Sequence, residues 1–368
     1  MIKLARQGNG RETAWIWLPA LLLLVVLSSL LLTSTGCYIY RGALAEAWVL
    51  RHRRSIAAVI ADSATSASDR AKLGLVLDAR RFAAESIGLR AGKSFTTYTV
   101  LRHDTLVLVV SAAYRDQLRP LTWWFPIVGR VPYKGFFDFR AALRAATALD
   151  ARGFDTNVRP SPAFSTLGFF NDPLVSTTLE DDSLELANTV FHELTHNTFY
   201  AGSQATFNES FANFVGYRGA AAFFRARGSE AAAQTVDGLW ADTKLLGAVW
   251  GDVYQSLDSA FRAHPGDRAA RIAARDTIYT RLREHLVTDV APRLRVVRPA
   301  GLARIRLDNA SLLARRVYLT GLDGFDAVYD RCGGNLRCAV ARIIALARSE
   351  PRDPFDAVAR WTRGSVGR

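Results

Sequence analysis

One stretch constrains this chain more than any other. His192-Glu193-Leu194-Thr195-His196 is followed, after twelve intervening residues, by Glu209 at the head of Ser210-Phe211-Ala212-Asn213. On a helix, residues four apart lie about 40° apart around the axis, so His192 and His196 leave one face a turn apart. Two imidazoles placed this way can share one Zn²⁺, and Glu193 beside them can act as general base on a metal-bound water. Zinc of this kind needs a third protein ligand and one open position. The chain must therefore fold so that a second segment returns to the helix carrying the histidines.

The flanks fit that requirement. Asp182 stands three residues before Glu185, a helix-starting pattern. Leu186, Ala187, Val190, Phe191 and Leu194 form an apolar stripe, and Gly202 is positioned to end the helix. Glu209 is the expected third ligand, because its step from His196 lets the chain reverse and lay a second helix beside the first. Glu185 lies two turns before His192, and Asp181 and Asp182 precede the helix, where they suit capping better than ligation. Asn213, a turn after Glu209, can fix the tautomer of a ligand imidazole, and Asn188, a turn before His192, faces the same side. Tyr318, Tyr217 and Tyr133 are three open candidates for an oxyanion donor.

This stretch resembles the gluzincins, the thermolysin-like zinc peptidases whose third ligand is a glutamate. Asn208-Glu209-Ser210-Phe211-Ala212 looks like the Asn-Glu-x-x-Ala segment of their aminopeptidase branch. More closely, the chain resembles a bacterial family of membrane-associated aminopeptidases. That likeness rests also on Val131-Pro132-Tyr133-Lys134-Gly135-Phe136-Phe137, on Ser165-Thr166-Leu167-Gly168-Phe169-Phe170-Asn171-Asp172-Pro173, and on Leu307-Asp308-Asn309-Ala310, and it covers most of the chain after Cys37. It implies one Zn²⁺, a peptide substrate and aminopeptidase activity. It also implies a zincin-like core in which a small sheet precedes the His-Glu-x-x-His helix. Ser165, Thr166, Leu167, Gly168 and Phe169 would form the edge strand that pairs with substrate. The chain departs from the common pattern in its short step from His196 to Glu209, and in Asn213, where many gluzincins carry an acid.

The first 36 residues read as a targeting segment. Lys3, Arg6 and Arg11 precede an apolar run over residues 14–32, then Thr33-Ser34-Thr35-Gly36-Cys37. This is similar to a lipoprotein signal ending at an acylated Cys37, and the run is also long enough for a single membrane span. Either anchor places the body outside the inner membrane, in the periplasmic part of a bacterial envelope. In such an oxidising compartment Cys332 and Cys338 can pair.

The 368 residues suffice for a large core, in one unit or two. We divide them into an anchor (1–36), a helical and hairpin region (37–150) and a catalytic region (151–368), of which 37–368 can form one unit. The net charge of +13 comes almost wholly from arginine, since only five of the 47 basic residues are lysine. The arginines are spread along the chain without an aromatic-interleaved block, so nucleic acid is not an expected partner. Oligomeric state is not legible. Helices are expected over 38–60, 68–89, 138–150, 220–233, 236–263, 268–290, 310–318 and 325–348. A hairpin is expected over 95–112 about Arg102-His103-Asp104, an aromatic loop over 123–137, and short strands over 154–158 and 163–170. The fold class is α+β, mostly helical. The rival to an enzyme is an inactive membrane-anchored binding protein on a peptidase scaffold, which would purify without stoichiometric zinc.

Overall fold

Apolar spacing near 3.6 residues runs through most of the chain, and the computed structural model is correspondingly mostly helical with small sheets. It describes residues 34–101, 107–125, 129–160, 173–179 and 182–364. The elements in order are α1 (Ser34–Arg51), β1 (Arg54–Ser55), α2 (Ile56–Ala61), α3 (Ala67–Phe82), β2 (Thr97–Thr99), β3 (Leu108–Tyr114), β4 (Trp123–Phe125), β5 (Gly129–Val131), β6 (Tyr133–Phe136), α4 (Phe139–Ala151), β7 (Phe154–Pro160), β8 (Leu174–Val175), α5 (Ser176–Leu179), α6 (Ser183–Thr198) and α7 (Ala205–Ala226). There follow α8 (Glu230–Ala263), α9 (Arg268–His285), α10 (Pro299–Leu302), α11 (Asn309–Tyr318), α12 (Leu322–Arg331), α13 (Leu336–Ser349) and α14 (Pro354–Arg363). Among the described residues no helix is long and apolar enough to cross a membrane. The apolar run 14–32 and the expected edge strand 165–169 lie outside them.

β3 is the centre of a three-stranded antiparallel sheet, with β6 on one side and β7 on the other. Alternation along the strands separates its two faces. Val110, Ala112 and Val158 pack with Ala142, Ala146 and Leu149 of α4. Val109, Ser111, Tyr133 and Arg159 fall on the opposite face, with Ser111 paired to Tyr133 and Val109 to Arg159. That second face is one wall of the cleft described below.

Several expected elements differ from those observed. The 95–112 hairpin does not form: β2 pairs with β1 and, in parallel, with β8, while β3 joins the other sheet. Local β-propensity marked both strands but carried no information about their partners. The aromatic stretch 123–137 is not a loop. It folds as the β4–β5 hairpin, pairing Trp123 with Val131, and then as β6. The first helix breaks at residues 52–55, where β1 forms. The metal-motif helix ends at Thr198 with Phe199 extended, short of Gly202. α7 runs unbroken through Gly216 to Ala226, so no separate helix starts at residue 220. The helix expected over 325–348 is split by Gly333 and Gly334, whose φ of +64° and +75° only glycine adopts readily. Across that split Cys332 and Cys338 are joined as a disulfide, their Cα atoms 5.8 Å apart.

The largest core surrounds α6 and α7 and draws on α3, α12 and α13. Phe207, Phe211 and Phe214 of α7 all touch Phe325 of α12, with ring centroids 5.6–5.8 Å apart. Tilted and edge-on rings of this kind add packing energy beyond their buried area. Small residues let α6 and α7 approach. A Cβ on Gly216 would stand 2.2 Å from the Asn188 Oδ1, and one on Gly219 would stand 2.9 Å from the Phe191 ring. The Phe191 ring is fully buried and has little room to yield. Gly219→Ala is therefore expected to destabilise the fold by about 1–3 kcal/mol. The readout is a lowered urea midpoint at constant slope; an unchanged midpoint would show that this contact does not limit the helix spacing.

Candidate functional site

α6 is fixed first by its start. The Asp182 carboxylate accepts from the backbone N–H of Leu184 and Glu185 at 2.8 and 2.9 Å, satisfying donors the helix leaves open. Leu186, Ala187, Val190, Phe191 and Leu194 are all fully buried, which fixes the helix's rotation. His192 and His196 then emerge beside the apolar stripe and line a cleft of about 890 Å³.

The returning segment is fixed by Asn208. Its Oδ1 accepts from the Ala201 N–H and its Nδ2 donates to the Ala201 carbonyl, both at 2.8 Å. This two-point clasp closes the turn between α6 and α7 and sets where the next residue, Glu209, begins its course. Glu209 Oε2 lies 3.3 Å from His192 Nε2 and 3.6 Å from His196 Nε2, and the two nitrogens are 3.2 Å apart. Four-coordinate zinc with bonds of about 2.1 Å places its ligands about 3.4 Å from one another along a tetrahedron's edges. The donor set and its spacing therefore fit one metal ion. Glu193 lines the same cleft and has no hydrogen-bond or ion-pair partner among the described residues.

The electrostatics follow from this closeness. Burial would push the Glu209 carboxyl up, but the hydrogen bonds and charges of His192 and His196 outweigh it and hold the group well below the usual carboxylate range. Burial likewise works against a charged His192, yet Glu209, Glu193 and Asn213 together raise its pKa above 6.5. Without a metal, a proton on the imidazole balances the carboxylates; a cation can replace it.

The other expected residues divide. Asn213 lines the cleft, helps to raise the His192 pKa and donates from Nδ2 to the Tyr318 carbonyl at 3.0 Å. Asn188 lines the cleft but reaches Glu185, 3.5 Å away, rather than an imidazole. The buried Nδ1 of His196 has no hydrogen-bond partner among the described residues, and the rings of His192 and Tyr200 lie 4.9 and 6.4 Å from that imidazole. Of the three tyrosines, Tyr318 and Tyr133 line the cleft and Tyr217 does not; Tyr217 packs instead on Trp240. Burial, with the charge of Glu209, pushes the Tyr318 phenol up to about 12. The Tyr318 oxygen accepts from Arg159 at 3.0 Å. α7 positions Tyr318 through Ser210, whose hydroxyl donates to the Val317 carbonyl and accepts from the Thr320 N–H.

Sequence reasoning missed Tyr200, Arg159 and Arg316, which also line the cleft. The available signal was weak: Arg159 lies one residue beyond the strand expected over 154–158. Glu185, set aside as a ligand, lines the cleft too. It is open to solvent yet surrounded by protein on most sides, and that enclosure raises its pKa.

The molecule is thus a mostly helical α+β protein whose cleft assembles a His-His-Glu group able to hold a metal ion, next to Glu193, a carboxylate with no partner among the described residues. The chain belongs to the family described as "Putative aminopeptidase", whose model matches residues 37–355. No curated protein and no solved structure matches it.

The raised pKa of His192 has a measurable consequence. Metal must displace the proton, so competition sets in above pH 6.5 and affinity falls as the pH is lowered. Calorimetric titration with zinc is expected to show weakening affinity from about pH 8 to pH 6, with proton release detected as buffer-dependent heat. A flat profile over that range would contradict the coupling.

Proposed function

We propose that this protein is a zinc-dependent aminopeptidase of the gluzincin type, held at the cell envelope by a lipid on Cys37 or by a span over residues 14–32. The observation that carries the reading is the meeting of three donor atoms 3.2–3.6 Å apart beside Glu193 in one cleft. Membership of an aminopeptidase family supports a peptide substrate. His192, His196 and Glu209 are the ligands. Zinc supplies Lewis acidity there, polarising a carbonyl and bringing the pKa of water towards ~7.

The chain's own groups do the rest. Glu193 takes the proton of the attacking water and returns it to the leaving amine. Tyr318 stays protonated, and because its oxygen already accepts from Arg159, its own hydrogen is free to donate to the developing oxyanion. Tyr133 is the second donor facing the cleft. Asn213 orients His192. Glu185, Glu193 and Glu209 are the carboxylates lining the cleft among the described residues. With two of them committed, Glu185 is the one left to meet a free α-ammonium group, which favours cleavage at an N-terminus.

Glu193→Gln is expected to retain stoichiometric zinc by metal analysis while losing at least about two orders of magnitude in hydrolysis of amino-acyl substrates. Glu209→Ala is expected to lose both metal and activity, and Asn213→Ala to weaken zinc more mildly. Tyr318→Phe should lower kcat by about 10²-fold with zinc intact. Near-wild-type turnover by zinc-replete Glu193→Gln would reject the mechanism.

A further inference from the structure

Arg159 is not fully used by the chemistry above. Its guanidinium carries five donors, of which one is occupied among the described residues, by the Tyr318 oxygen at 3.0 Å. No carboxylate pairs with it among the described residues, although the cleft it lines holds three. Strand register aims it into the cleft from the sheet wall, opposite Val109 and away from the face packed on α4. Arg316, on α11, also has no carboxylate partner among the described residues; it lies over the Tyr254 ring at 4.1 Å, and burial lowers its pKa. Guanidinium groups that line a cleft without a counter-ion among the described residues can receive an anion there.

We propose that Arg159 binds a carboxylate of the substrate itself, so that the cleft selects short peptides bearing an anion on the residue next to the scissile bond. The proposal rests on the peptidase reading and adds a substrate class to it. The position follows from Tyr318, which contacts Arg159 and lines the same cleft as His192, His196 and Glu209. An anion on Arg159 therefore lies close to the reacting carbonyl, and an extended peptide advances only ~3.5 Å per residue. The planar fork of Arg159 matches a carboxylate with two parallel N–H···O bonds. An uncharged amide in that place would leave the guanidinium short of partners as the substrate displaces water, so it should bind more weakly. The carboxylate can be the C-terminus of a dipeptide or the side chain of an acidic second residue. Arg316 lies two residues before Tyr318 on α11 and leaves the helix on the other flank, towards α8. It is not expected to share this contact.

The test uses the full chain loaded with zinc. Binding is measured by calorimetry in Glu193→Gln, where turnover is blocked, and kcat/KM is measured in the active protein. Alanyl-alanine is compared with alanyl-alanine amide, and alanyl-glutamate amide with alanyl-glutamine amide. Trialanine, whose carboxylate is one residue further away, completes the set. The expected result is a preference of about 10- to 100-fold for the member with a carboxylate on the second residue, in binding and in kcat/KM. Alanyl-alanine leading identifies the main-chain carboxylate, and alanyl-glutamate amide leading identifies the side chain. The preference should vanish in Arg159→Gln, partly survive in Arg159→Lys and persist in Arg316→Gln. Equal binding of acid and amide by the parent protein would overturn the proposal without need of any variant. So would a preference that survives Arg159→Gln or disappears only in Arg316→Gln. If no peptide is hydrolysed but acids still bind better than amides through Arg159, the peptidase reading fails while the anion site stands.

Discussion

Everything at the site depends on how closely α6 and α7 approach. These two helices carry all three metal-fitting donors, one pair on α6 and Glu209 on α7. The mutual spacing of 3.2–3.6 Å leaves little tolerance, because a fraction of an ångström separates a closed coordination edge from an open one. Gly216 and Gly219 set the distance by omitting side chains where Asn188 and Phe191 press against α7. The Asn208 clasp on Ala201 sets the register along it. A thirteen-residue step between His196 and Glu209 is therefore enough, since the turn is held by side chain to backbone bonds rather than by length.

The rest of the fold delivers further groups to that pair. Asp155, buried in the sheet, forms an ion pair with Arg275 at 2.5 Å and accepts from the Asn309 N–H at 3.0 Å. Asn309 in turn donates to the carbonyls of Tyr114, Arg115 and Gln117 and accepts from the Tyr279 hydroxyl. Asp308 caps α11 in a reciprocal pattern with Ser311. These bonds tie the start of α11 to the end of β3, so that Tyr318 at the other end of the helix reaches the cleft. On the far side of α7, Asp326 receives Arg218, Lys244 and the Trp240 N–H, joining α7, α8 and α12. A buried carboxylate with this many partners is satisfied; removing one partner would leave charge stranded.

Three of the segments that carried the family resemblance have structural reasons of their own. Leu307-Asp308-Asn309-Ala310 is the cap and anchor of α11. Residues 131–137 contain β6, which brings Tyr133 to the cleft wall. Asn208 locks a turn, and the residue after it supplies a candidate ligand. At Asn208 and Asn309 one side chain satisfies several backbone groups, a demand few residue types can meet.

By itself the sequence determined what depends on local periodicity. The 3.6-residue stripe on α6, its Asp182 cap, the one-face placement of His192 and His196, and most of the later helices follow from chemistry within a few residues. Helix ends were less legible, because Gly202 can close a helix but the chain straightened earlier, at Phe199. Tertiary structure alone decided the strand partners, since a strand's own residues state its propensity but not which edge it will meet. It also decided that Tyr318 and Tyr133 face the cleft while Tyr217 packs on Trp240, that Glu185 belongs to the cleft without being a ligand candidate, and that Arg159 stands there with most of its donors unused among the described residues. These are facts about the meeting of segments separated by tens to more than a hundred residues, such as Tyr217 with Trp240 or Arg159 with Tyr318, and no local pattern encodes them.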